Sequence, residues 1–154
     1  MKNKGNRIKI CLISSSGGHY EQLKMLQKLE EKYDVFWVTE ATSYTSKADY
    51  FMIQTGLKDN GYLIKMIKNL FRTLKIWVKE KPDYIVTTGS MVAIPMALMA
   101  KVFKKKLVYI ESFARVTDSS KTGQLLYKYA DLFIVQWESM KEVYPNSVYG
   151  GSLY

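Results

Sequence analysis

Apolar and polar positions fall into blocks along this chain, and the blocks follow two periods. Short apolar runs stand at 7–14, 34–39, 50–54, 84–87, 107–110 and 132–135, each bounded by turn residues. They predict six strands. Longer segments with apolar residues three and four apart lie between them and predict helices over 19–32, 62–80, 91–103, 120–129 and 138–143. The Ser/Thr-rich stretch 40–48 reads as a loop, 56–61 as a turn and 148–151 as a tail. The strands are apolar throughout rather than alternating, so both of their faces are covered, as in a parallel sheet. Strand and helix alternate, and the fold class is α/β: one Rossmann-like, doubly wound parallel sheet across 154 residues.

Sheets of this kind bind ligands beyond the C-terminal ends of their strands. Three polar loops fall there. The first is Ser14-Ser15-Ser16-Gly17-Gly18-His19, a strand–glycine turn–helix unit. The amides around Ser16, Gly17 and Gly18 can seat an anion; the same pattern also makes a tight turn with hydroxyl capping. It is neither the dinucleotide fingerprint nor a P-loop, although Glu40 ends strand two where a ribose-binding acid would sit. His19 is the single histidine. At a helix start the imidazolium is disfavoured, and a neutral ring can take a proton near pH 7; a plain first-turn surface residue is the alternative. Thr88-Gly89-Ser90 is a second hydroxyl-and-glycine turn. In the third loop Glu111 suits sugar hydroxyls and Arg115 a phosphate, or the two meet each other or solvent.

Within 62–80, Leu63, Ile64, Met66, Ile67, Leu70, Phe71, Leu74, Trp77 and Val78 share an arc of roughly 160°, at about 100° per residue. Lys65, Lys68, Arg72, Lys75 and Lys79 form a stripe beside it. A sheet-covering helix with a solvated basic back has this pattern. So does a helix that meets an anionic membrane, where each cation near the surface contributes about 1 kcal/mol; Lys65, Lys68, Arg72 and Lys75 are the membrane candidates.

The charge balance sharpens that choice. With 23 Lys+Arg against 14 Asp+Glu the net charge is +9, which points to an anionic partner. Only Arg7, Arg72 and Arg115 are arginines, whereas base reading favours arginine; an anionic lipid surface is expected and nucleic acid is not. Cys11 is the single cysteine, inside the first apolar run, so neither an internal disulfide nor a Cys/His metal set is expected. No long uncharged apolar run is present, and Lys2, Lys4, Arg7 and Lys9 interrupt any signal-peptide core. The chain is expected at the cytoplasmic face of the membrane, peripherally.

Several of these segments are recognisable together. Tyr109-Ile110-Glu111-Ser112-Phe113-Ala114-Arg115-Val116, Thr122-Gly123, Ala130 to Trp137 and Tyr144-Pro145 stand with the Ser15–His19 start and Thr88-Gly89. In them the chain resembles bacterial capsule and exopolysaccharide biosynthesis proteins of the CpsF/PssD type. These are similar to the membrane-docking subunit of the eukaryotic two-subunit UDP-N-acetylglucosamine transferase of the dolichol pathway.

The resemblance implies the N-terminal half of a GT-B glycosyltransferase, similar to the acceptor half of MurG, and a separate donor-binding partner of the PssE/CpsG type. The acceptor it implies is a polyprenyl-pyrophosphate-linked sugar, with no bound metal or cofactor. Its pyrophosphate would meet Ser16, Gly17, Gly18, Gly89, Ser90 and Arg115. His19 would be the base, with Glu111 as sugar-orienting group or competing base. The chain ends where a single-chain GT-B enzyme would cross into a second domain, which fits a half-enzyme. Two other readings are a non-catalytic anchor or activator of a complete transferase, and a stand-alone nucleotide-binding module.

Overall fold

A computed structural model describes residues 7–43, 47–56 and 58–154. Part of the predicted 40–48 loop, residues 44–46, and residue 57 of the predicted turn lie outside these. Seven parallel strands form one sheet in the order β3-β2-β1-β4-β5-β6-β7. The strands are β1 (Lys9–Ile13), β2 (Asp34–Ala41), β3 (Tyr50–Ile53), β4 (Tyr84–Thr87), β5 (Lys106–Ile110), β6 (Leu132–Val135) and β7 (Val148–Tyr149). β7 falls in the predicted tail. At two residues it is too short to carry a hydrophobic period. The helices are α1 (Gly18–Lys24), α2 (Tyr62–Glu80), α3 (Ile94–Val102) and α4 (Lys121–Leu126).

Successive strand residues point to opposite faces, and the core divides accordingly. Cys11 and Ile13 of β1 join Phe36, Val38, Met52, Ile85 and Leu107 under α2, α3 and α4. Ile10 and Leu12 join Tyr20, Leu23, Val86 and Ile110 under α1. Cys11 is fully buried, and burial pushes its thiol up, so it behaves as a small hydrophobe.

The predicted helix 19–32 is broken: α1 ends at Lys24, and a 3-10 turn spans Gln27–Glu31. Leu23, Leu26 and Leu29 are spaced by three, the period of a 3-10 helix rather than an α-helix. Met25 N–H donates to Gln22 O and Leu26 N–H to Leu23 O, both i to i−3 bonds. Short 3-10 turns also replace the start of the predicted 91–103 helix and the predicted 138–143 helix.

α2 has the predicted bounds and a solvated basic stripe, but most of the predicted apolar arc faces away from the sheet. Asn69, Thr73, Ile76 and Trp77 are its buried residues. Leu63 (73% exposed), Ile64, Ile67, Phe71 and Val78 (69%) face outward. The inner face mixes Ile76 and Trp77 with polar Asn69 and Thr73, and it lies along β3, the sheet edge. Asn69 Nδ2 donates to Ile53 O and Ile53 N–H donates to Asn69 Oδ1, both at 2.8 Å, so one side chain stands in for a neighbouring strand. Arg72 Nη1 donates to Phe51 O at 3.1 Å. Trp77 stacks on Phe103 beyond α3, where Val102 is also exposed and extends the outer apolar surface.

Candidate functional site

β1 and β4 are neighbours, and the strand order departs from them in opposite directions, so the loops that follow them meet at the switch point of the sheet. The chain leaves β1 through Gly17, whose φ of 79° suits glycine. α1 begins at Gly18 and has seven residues, so little helix dipole stands behind the amides of the turn. The chain leaves β4 through Gly89 (φ 110°) and then Ser90, a non-glycine residue held at φ 86°. That strained serine borders the site.

His19 bridges the two loops. Its Nδ1 lies 2.9 Å from Thr88 O, and Thr88 Oγ1 donates to His19 O at 2.7 Å. A carbonyl oxygen only accepts, so Nδ1 carries the proton and the neutral ring keeps its open lone pair on Nε2. Gly89 is required by its φ and by Tyr109, since a Cβ there would stand 2.9 Å from Tyr109 Oη, with the His19 ring at ordinary contact distance. Burial lowers the pKa of His19 below its ordinary 6.5, outweighing the Thr88 carbonyl and Glu111, which favour the cation; Arg115 lowers it further.

Glu111 departs from the sequence expectation. It is buried, and its two oxygens serve four donors. Oε1 accepts from Ser112 N–H at 2.9 Å. Oε2 accepts from Ser120 N–H (3.3 Å), Ser120 Oγ (3.0 Å) and Tyr144 Oη (2.9 Å). Three of the four donors converge on Oε2, and the group is almost wholly buried, so it stands as a structural clamp rather than as a group open to a sugar hydroxyl. The group pins the start of α4 to Tyr144. Gly123 is part of that clamp, because a Cβ there would collide with Glu111 Oε2 and Tyr144 Oη. Arg115 pairs with Asp118 at 2.5 Å on the surface rather than with Glu111.

A cleft of about 860 Å³ opens beside the switch point, lined by Ser15, Ser16 and Ser90 on one side and by Lys65 and Arg72 of α2 on the other. Two of the predicted membrane cations therefore face this cleft. Lys65 pairs with Asp59 at 2.7 Å. Lys68 and Lys75 are exposed beside the apolar face.

Sequence reasoning gave Glu40 only a nucleotide-site role; here it forms part of the cleft wall, buried, accepting from Thr55 N–H at 3.2 Å and from the Ser16 backbone. An acid ending an apolar strand was the available signal. Gln22 and Gln136 were missed altogether. Gln136 Nε2 donates to Gln22 Oε1 (2.7 Å) and to Glu111 O (2.9 Å), fixing α1, and with it His19, against the loop after β5. A glutamine one turn beyond His19, next to a core leucine, is the trace they leave in the sequence.

The fold is that of one half of the GT-B glycosyltransferases and related epimerases. The chain superimposes on UDP-N-acetylglucosamine 2-epimerase from Rickettsia bellii with a TM-score of 0.75 at 16% identity, covering 96% of this chain and 46% of that one. On MurG from Acinetobacter baumannii the TM-score is 0.69 at 17% identity, covering 87% and 43%. It thus spans less than half of either structure.

The sequence places it more narrowly. A family described as oligosaccharide biosynthesis protein Alg14 like matches residues 61–153. The chain is 35% identical to a rat protein over 94% of its own length and 82% of the relative's. It is 30% identical to a Candida albicans protein over 99% and 83%, and both relatives are named UDP-N-acetylglucosamine transferase subunit ALG14. The chain belongs to the Alg14-like family and is a glycosyltransferase subunit. The capsule-type branch drawn from the motifs is a narrower statement than this match carries.

Proposed function

We propose that this chain is the acceptor-binding, membrane-docking half of a two-subunit inverting glycosyltransferase. A partner subunit holds a UDP-sugar, and the relatives' name favours UDP-N-acetylglucosamine. The acceptor is a sugar linked to a polyprenyl pyrophosphate at the cytoplasmic face of the membrane. The observation that carries this reading is the outward apolar face of α2, on the same helix that walls the cleft lined by Ser15, Ser16 and Ser90 of the two glycine turns. An exposed apolar face rimmed by Lys68 and Lys75 suits an anionic lipid surface. Among the described residues no helix is long and apolar enough to cross a membrane. The CpsF/PssD-type polysaccharide setting, with a PssE/CpsG-type partner, is supported by the sequence motifs alone.

In the transfer step the acceptor hydroxyl oxygen attacks the anomeric carbon of the donor sugar. Its proton passes to His19 Nε2, and UDP leaves with the electron pair of the broken glycosidic bond. The Ser16–Gly18 and Gly89–Ser90 loops and Arg115 flank the acceptor. Glu111 acts as a positioning residue through Ser120 and Tyr144.

The test is transfer by the assembled pair with His19→Ala. We expect a loss of about 10²–10⁴-fold with assembly intact. Transfer should also keep its rate below pH 6.5, because the depressed pKa leaves the ring neutral there. Stability should fall across that same range, since the unfolded chain takes up its proton first; at lower pH still the folded site protonates too, transfer drops and the stability change levels off. Unchanged transfer in the variant would make the chain a non-catalytic anchor, and tight binding of UDP to the isolated chain would favour the nucleotide-module reading.

A further inference from the structure

The cleft has walls of opposite character. Arg72 uses one guanidinium N–H on Phe51 O, and a guanidinium has five, so it can still present a fork to an anion. Lys65 stands near it with its charge shared by Asp59. Across from them Ser15, Ser16 and Ser90 offer hydroxyls, and the wall includes Glu40, buried and held by backbone N–H groups. Glu40 repels a bare anion and attracts hydroxyl groups, so the lining matches one ligand that carries both an anion and a sugar.

The position fits a lipid-borne ligand. A helix lying in a membrane interface sinks its apolar face about 5–10 Å, and a helix is about 10–12 Å across. The polar side of α2 then stands at the level of the headgroups. On the helical wheel Lys65 and Arg72 lie on that side, away from Leu63, Ile67 and Leu74.

We propose that Arg72, assisted by Lys65, binds the pyrophosphate of the lipid-linked acceptor in this cleft, and that Glu40 accepts hydroxyl groups of the sugar attached to it. This rests on the acceptor-side reading above and gives that reading its charged subsite. It divides the basic stripe of α2 into two functions: Lys68 and Lys75 meet the membrane, while Arg72 and Lys65 hold the substrate.

The test uses the full chain and three probes: a short-chain prenyl pyrophosphate carrying one N-acetylglucosamine, inorganic pyrophosphate, and UDP. Calorimetry should show Arg72→Ala weakening the prenyl probe and inorganic pyrophosphate about tenfold or more, with Arg72→Lys recovering part of the loss. Glu40→Gln should move the two probes in opposite directions, tightening inorganic pyrophosphate and weakening the sugar-bearing probe. The Lys68→Ala/Lys75→Ala pair should bind all probes as the parent does and lose only vesicle flotation. Thermal midpoints of all variants show whether each is folded.

In the assembled transferase, Arg72→Ala should raise KM for the lipid acceptor and leave KM for the UDP-sugar unchanged. Binding of the prenyl probe that is indifferent to Arg72 overturns this assignment while the acceptor-side reading stands. Preference of the cleft for UDP over the prenyl probe, with the same dependence on Arg72, overturns both.

Discussion

α2 and α3 cover the same face of the sheet with opposite arrangements. α3 sends Ile94, Met96, Ala97, Met99 and Ala100 into the core. α2 sends Asn69 and Thr73 inward with Ile76 and Trp77, and leaves Leu63, Ile64, Ile67, Phe71 and Val78 outside. The difference follows from what each helix lies on. α3 rests on β4 and β5, inner strands whose backbone groups are already paired, so an apolar face is what fits there. α2 rests on β3, whose outer edge is open, and polar side chains close that edge. Once its polar positions are committed inward, its apolar face is free for another surface. Leaving a large apolar side chain in water forgoes about 1.5–3 kcal/mol of burial, so this face keeps affinity for another apolar surface, which the proposed reading makes a membrane.

The sharpest way to break the comparison is to change one residue on each helix. Met96→Ala should cost about 2–5 kcal/mol of stability, from lost burial and the cavity left behind. Ile67→Asp should stay within about 0.5 kcal/mol of the parent, as an exposed position does, and should abolish flotation with anionic vesicles. Urea midpoints and flotation on the same preparations decide it. If Ile67→Asp unfolds the chain as readily as Met96→Ala, or floats undiminished, α2 does not present its apolar face outward.

The outward turn of that apolar arc marks the limit of what the sequence tells. The strands were legible because runs such as Leu107 to Ile110 are apolar at every position, and only a doubly covered parallel strand needs that. The bounds of α2 were legible from its period. Its orientation was not, since a helical period states that two faces differ and not which one meets the sheet; the decision was made by the open edge of β3, a feature of topology. The site divides in the same way. His19 was legible as a lone imidazole at a glycine turn, but its tautomer depends on Thr88, far along the chain. Glu111 had the right chemistry for a sugar ligand, and only the meeting of Ser112, Ser120 and Tyr144 around it shows it buried as a clamp.

A smaller effect tests the inward face directly. Asn69→Leu should cost about 1–3 kcal/mol, although it makes α2 more apolar, because it strands the half-buried N–H and C=O of Ile53. Hydrogen exchange at the Ile53 amide should accelerate along with the drop in urea midpoint. A stability gain would mean that hydrophobic burial, and not edge capping, sets the orientation of α2.

The smallest effect concerns how the chain reaches each helix. α2 starts from Gly61 at φ 78°, which costs a glycine little, whereas the turn into α3 starts from Ser90 at φ 86° and ψ 157°. A side chain in that region costs about 1–3 kcal/mol. Ser90→Gly removes the strain and adds about 0.5–1 kcal/mol of unfolded-chain entropy to be lost, so the net change should be a stabilisation of about 1 kcal/mol. Stability alone would favour glycine here. Serine lines the cleft one residue beyond Gly89, so a role for its hydroxyl in the cleft is the test of why the strain is kept. Ser90→Gly should therefore raise both the thermal midpoint and the acceptor KM of the assembled pair. A higher midpoint with an unchanged KM would leave the strain without a function, and a lower midpoint would show that the hydroxyl holds the turn itself.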